Sequence, residues 1–126
     1  MPVLAILRHE EGVRLDPDPL VALFAELGEG GAERVVRRAL LELSEQLSDL
    51  ATHFAEDRTD ELMRGARMLA KVAEQVGMAT LARVARDVVR TSEAADVNAQ
   101  AATVARLGRI GQRSLAALWD LGEAGG

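Results

Sequence analysis

The sequence predicts an all-α fold: an antiparallel up-down four-helix bundle with a short additional N-terminal helix. Apolar residues recur in steps of three and four through every long window, which is the spacing of one face of a helix. Prolines, glycines and capping residues cut the chain into segments of helix length, and no window sustains the alternation of a strand. The connections between segments are short, which places consecutive helices side by side and antiparallel. A chain of 126 residues forms one domain that buries about two-thirds of its unfolded surface. The reading divides it into an N-terminal segment (1–14), a helical bundle (15–120) and a C-terminal tail (121–126).

The N-terminal segment contains the apolar run "VLAIL" at residues 3–7. It fits an extended strap across the bundle, an extra helical turn, or a contact for a second copy of the chain; the strap is preferred. The short helix starts in "DPDPLVALFAELGEGG", with Asp18 as N-cap, Pro19 at the first helical position and Gly28 as the stop. Leu20, Leu23, Phe24 and Leu27 are its inward residues. From about Ala32 to Phe54 the seam Val36, Leu40, Leu43, Leu47, Leu50 and Phe54 makes a long bundle helix. In "AEDRTDEL" Thr59 caps the next helix, and Asp60 and Glu61 suit its dipole. That helix turns Leu62, Ala66, Leu69, Ala73 and Val76 inward and ends at Gly77. The following one buries Leu81, Val84, Ala85 and Val88. After "SEAADVNAQ" the last helix is seamed by Val97, Ala101, Val104, Leu107, Gly111, Leu115 and Leu118.

With 48% hydrophobic and 28% charged residues the chain has the composition of a globular protein rather than a disordered one. The absence of cysteine removes disulfides, thiolate nucleophiles and sulfur-ligated metals. "MPVLAIL" lacks the basic start and cleavage site of a signal peptide, and no window reaches the length of a membrane span, so the expected location is the cytoplasm, away from the membrane. The net charge of −5 is unevenly spread. Residues 1–62 hold 14 acids and 6 bases, a net −8, whereas residues 63–126 hold 6 acids and 9 bases, a net +3. Such a split marks two faces of a bundle or a basic surface suited to an acidic partner.

Catalytic groups are few. No H-E-x-x-H pair, strand-borne nucleophilic serine or phosphate cradle is present, and "GEGGAER" lacks the Lys-Ser/Thr of a P-loop. The pairs Asp16/Asp18 and Asp60/Glu61 sit at helix starts, where capping and dipole effects account for them. His9 and His53 are the two histidines; His53 borders an apolar seam, where packing is the commoner role. No cofactor or metal is expected. The bases are better ordered: Arg64, Arg67 and Lys71, then Arg83, Arg86 and Arg90, then Arg106, Arg109 and Arg113 each stand at i, i+3, i+7. A solvated helix face accounts for such triples as well as a docking surface does. Nucleic acid is not expected as a partner, because the chain is acidic and aromatics are 2%.

Taken together, "RLDPDPLVALFAELGEGGAE", the long second helix and "RGARMLAKVAEQVGMATLARVARDV" resemble the histidine-containing phosphotransfer (HPt) domain of bacterial phosphorelays, over roughly Leu15 to Trp119. That family displays a histidine on a four-helix bundle within H-x-x-K-G-S-A-x-x-x-G and exchanges phosphoryl groups with a receiver-domain aspartate. The framework agrees: Leu69 precedes the lysine position, Ala73 matches the small residue and Gly77 the final glycine. The chemistry does not. Arg67 occupies the phospho-acceptor position, Ala70 replaces the lysine, Lys71 the glycine and Val72 the serine. A guanidinium stays protonated and has no free lone pair, so Arg67 is no phosphoryl carrier. The resemblance therefore implies a non-catalytic protein that binds a response-regulator receiver domain or a histidine kinase. Arg64, Arg67, Lys71 and Glu74 would supply charge, and Met63 and Ala70 the packing. The alternatives are active phosphotransfer through His53 or His9, and a structural bundle that forms a homodimer through "VLAIL" or the last helix.

Overall fold

The computed structural model describes residues 12–125, with side chains described through residue 120. "VLAIL" and His9 lie outside the described residues. The described chain is all-helical, with no strand: α1 (Asp18–Ala55), α2 (Thr59–Gln75), α3 (Ala79–Glu93) and α4 (Val97–Gly125). Neighbours in sequence pack together, α1 on α2, α2 on α3 and α3 on α4, and α4 closes the ring against α1. The core they enclose includes Leu43, Leu62, Leu69, Leu81, Val84, Val88, Leu107 and Leu118, each nearly or wholly withdrawn from solvent.

The predicted break at Gly28 is present, with φ 74° and ψ 176°, but helix resumes at once, so the two expected helices run together as α1. Leu20 is buried and Leu23 packs on the core from partial cover, whereas Phe24 and Leu27, expected inward, are exposed. The caps also differ from expectation. Asp18 is already helical and bonds nothing as a cap; instead its N–H donates to the Asp16 carboxylate at 3.0 Å, the local turn an aspartate makes two residues ahead. Thr59 is the first residue of α2 and makes no capping bond.

Three helices end by one device. Arg58 N–H donates to His53 O at 2.8 Å, Met78 N–H to Ala73 O at 2.8 Å, and Asp96 N–H to Thr91 O at 3.3 Å. In each case the preceding residue has positive φ: Asp57, Gly77 and Ala95. These are six-to-one closures around a left-handed residue. Glycine is present at only one of them, and there the reason is spatial as well as torsional. A Cβ on Gly77 would overlap the carbonyl oxygen of Asp16.

That close approach comes from a strap, which runs at residues 13–16. Leu15 pairs antiparallel with Met78. Asp16 N–H donates to Gly77 O at 2.7 Å, Thr80 N–H to Arg14 O at 3.4 Å, and Arg14 N–H to the Thr80 hydroxyl at 2.6 Å. Its own Val13 and Leu15 are buried, as are Met78 and Thr80.

The seam of α4 starts later than its apolar residues suggested. Val97 and Ala101 are exposed, and the inward positions of the first turns belong to Gln100 and Thr103. Gln100 Nε2 donates to Ser92 Oγ at 3.0 Å, and the Thr91 and Thr103 hydroxyls lie 3.0 Å apart. The α3–α4 junction is thus closed by hydrogen bonds, which a search for apolar spacing passes over.

Candidate functional site

The surface singled out by the sequence is the outer side of α2 and α3. Arg67 is there, about half exposed, but it is not alone: its Nη2 donates to Glu93 Oε1 of α3 at 2.8 Å. Further along, Glu74 of α2 pairs with Arg86 of α3. The two bonds run in opposite polarity and tie the helices together across their wet side. Arg64 stands 3.8 Å from Glu61 within α2, and Arg90 pairs with Asp87 within α3. Lys71 lies on α2 between Arg67 and Glu74, exposed and without an ion pair among the described residues.

Two expectations about packing groups change. Ala70 is only 3% exposed. With Ala66 and Ala73, four residues before and three after it, it forms the small-residue strip that belongs to the core cluster, so it offers nothing to a partner. Met63 is half-buried. The exposed apolar group on this helix is Met68, at 59%, which the sequence reading missed. Its signal was positional: it stands four residues after Arg64 and three before Lys71, on the charged side.

His53 sits on α1, half-buried, with Nδ1 enclosed and without a hydrogen-bond partner. It does not belong to the α2–α3 surface. Among the described residues no group of three or more histidines and acids is placed to hold a metal ion. No helix among them is long and apolar enough to cross a membrane.

The three basic triples separate. Arg67, Arg86 and Arg90 are neutralised by acids of α2 and α3. Arg106, Arg109 and Arg113 of α4 are exposed and form no ion pair among the described residues. The outer surface of α2 and α3 is therefore a nearly balanced mosaic, with Lys71, Arg83 and Met68 as its unengaged members, and most of the excess positive charge lies on α4. The sequence matches no family model, no curated protein and no solved structure.

Proposed function

We propose that the chain is a non-catalytic, HPt-like protein of bacterial two-component signalling, which acts in the cytoplasm by docking a receiver domain or a histidine kinase on the outer surface of α2 and α3. The observation that carries this reading is the position of Arg67. It is exposed on the wet side of α2, and that helix ends on left-handed Gly77, the residue matching the family's final glycine. On this reading the phospho-acceptor position is a surface position holding a group that binds carboxylates and transfers nothing. The links between helices, residues 56–58, 76–78 and 94–96, support an antiparallel up-down order, with residues 18–27 as the short additional helix before Gly28.

The bond to Glu93 does not disable Arg67. An exposed pair contributes about 0.2–1 kcal/mol, so a cluster of acids on a receiver can take the guanidinium from Glu93 at small cost. Lys71 needs no such exchange. Met68 replaces Ala70 as the apolar contact beside them, and Met63 lies at the edge.

Calorimetric titration against the cognate receivers and kinase dimerisation regions tests this. Arg67→Glu is expected to weaken binding at least tenfold, and Glu93→Gln, which frees the guanidinium, to strengthen it. Binding indifferent to both changes would mean that the arginine serves only to solvate the surface. Incubation with a phosphorylated receiver is expected to leave no acid-labile phosphoryl group on His53 or His9.

A further inference from the structure

On the opposite side of the ring, α1 and α4 present a second surface with a different charge pattern. Along α1, Glu42, Glu45 and Asp49 are exposed; along α4, Arg106, Arg109 and Arg113 are exposed. None of the six forms an ion pair among the described residues, although the two helices pack together. The register explains why. Gly111 of α4 is pressed on Leu47 of α1, where an added Cβ would lie 2.6 Å from Leu47 Cδ1. With α1 and α4 antiparallel, as the up-down order requires, Asp49 stands level with Arg109 and Glu45 level with Arg113. At about 100° per residue, however, each of these four side chains lies roughly 160° around its helix from that contact. The acids therefore rim the α1–α4 surface on one edge and the arginines rim it on the other. They match in height and cannot meet within one molecule.

We infer that this surface is an interface between two copies of the chain, related by a two-fold axis parallel to the helices. That operation lays α1 of one copy over α4 of the other and keeps heights unchanged. Asp49 then faces Arg109 of the second copy, and the contact occurs twice; Arg113, whose guanidinium lies against Gly12, stays with its own copy. A two-fold axis perpendicular to the helices would set acid against acid. The strip between the rims fits the same arrangement. Leu41 is 74% exposed and Trp119 56% exposed, and the register places them within about one turn of each other. The two-fold thus brings each copy's leucine to the other's tryptophan. Gly108 has nothing within 4 Å of an added Cβ, so the fold of one copy does not call for a glycine there. In mid-helix it costs about 1 kcal/mol relative to alanine, and it lets a second backbone come close. Two helices side by side, each about 10 Å wide and about 40 Å long, offer on the order of 800 Å² per copy, the standard size of a specific interface.

The inference uses none of the residues of the α2–α3 surface, so either can fail alone. Charge reversal in the full-length chain tests it, with mass measured by sedimentation or light scattering at ~100 µM, well above a micromolar Kd. The wild-type chain is expected at twice 13.5 kDa. Asp49→Arg and Arg109→Glu, each alone, are expected to be monomers with unchanged helical circular dichroism. Mixed in equal amounts, those two monomers are expected to form a dimer, because every rim contact in the mixed pair again joins opposite charges. The pair Asp49→Lys and Arg109→Asp repeats the test should one of the first variants not fold. A monomeric wild-type chain overturns the proposal and leaves the surface to residues 1–11 or to another protein. Reversals that stay dimeric, or a mixture that stays monomeric, overturn it equally.

Discussion

Gly28 and Gly77 have nearly the same φ, 74° and 79°, and differ in everything else that decides what a substitution does. An alanine at Gly28 meets no atom within 4 Å, so it bears only the conformational cost. That is about 1–3 kcal/mol for a side chain held outside its favoured regions. At Gly77 the same cost is joined by overlap with the Asp16 carbonyl oxygen, which is backbone of a residue whose own N–H is bonded to Gly77 O. Gly77→Ala is therefore expected to lower stability in urea denaturation by more than Gly28→Ala, and to detach the strap. Both glycines were legible as helix stops. What the sequence did not reveal was the partner: nothing near Gly77 in the chain announces Asp16, and composition gives no sign of a backbone passing there. Arg67 shows the same limit. Its exposure follows from the helical wheel, but its bond to Glu93, 26 residues on, depends on how α3 lies on α2.

At the level of the helices, the three left-handed closures make a series with one member out of place. Gly77 is the preferred residue for such a position, Asp57 is tolerable, and Ala95 at φ 55° is neither. Ala95→Gly is expected to stabilise the protein by about 1 kcal/mol, read as a rise in the urea midpoint, because glycine removes the Cβ strain in the native turn. Since Ala95 is exposed, no packing is lost. This closure was invisible in the sequence because alanine reads as a helix former and "SEAAD" as a polar link. Apolar spacing was reliable where the core is closed on all sides: the expected seams of α2 and α3 are all buried. It failed at the ends. Phe24 and Leu27 extend beyond the cover that Leu20 finds, and Val97 and Ala101 lose the inward side of α4 to Gln100 and Thr103, whose hydrogen bonds satisfy the junction. Hydrophobic periodicity measures which side of a helix is apolar, not how far along it a neighbour reaches.

For the whole molecule, the separation of charge noted in the sequence takes on a spatial form. Glu42, Glu45 and Asp49 of α1 and the bases of α4 sit on one side of the ring, and the paired mosaic of α2 and α3 sits on the other. The two proposed interactions therefore do not compete. Calorimetry is expected to give one receiver per chain both for the wild-type dimer and for the Arg109→Glu monomer; a halved stoichiometry in the dimer would show that the surfaces interfere. The strap has a consequence of another kind, in time. The helices and their short links form from contacts between near neighbours, whereas the bond from Arg14 to Thr80 joins residues 66 positions apart. Closing so long a loop gains nothing until the turn at Gly77 exists to receive it. On a nascent or refolding chain the strap thus docks only after the α2–α3 turn, and the amide of Asp16 marks the moment at which that turn is sealed.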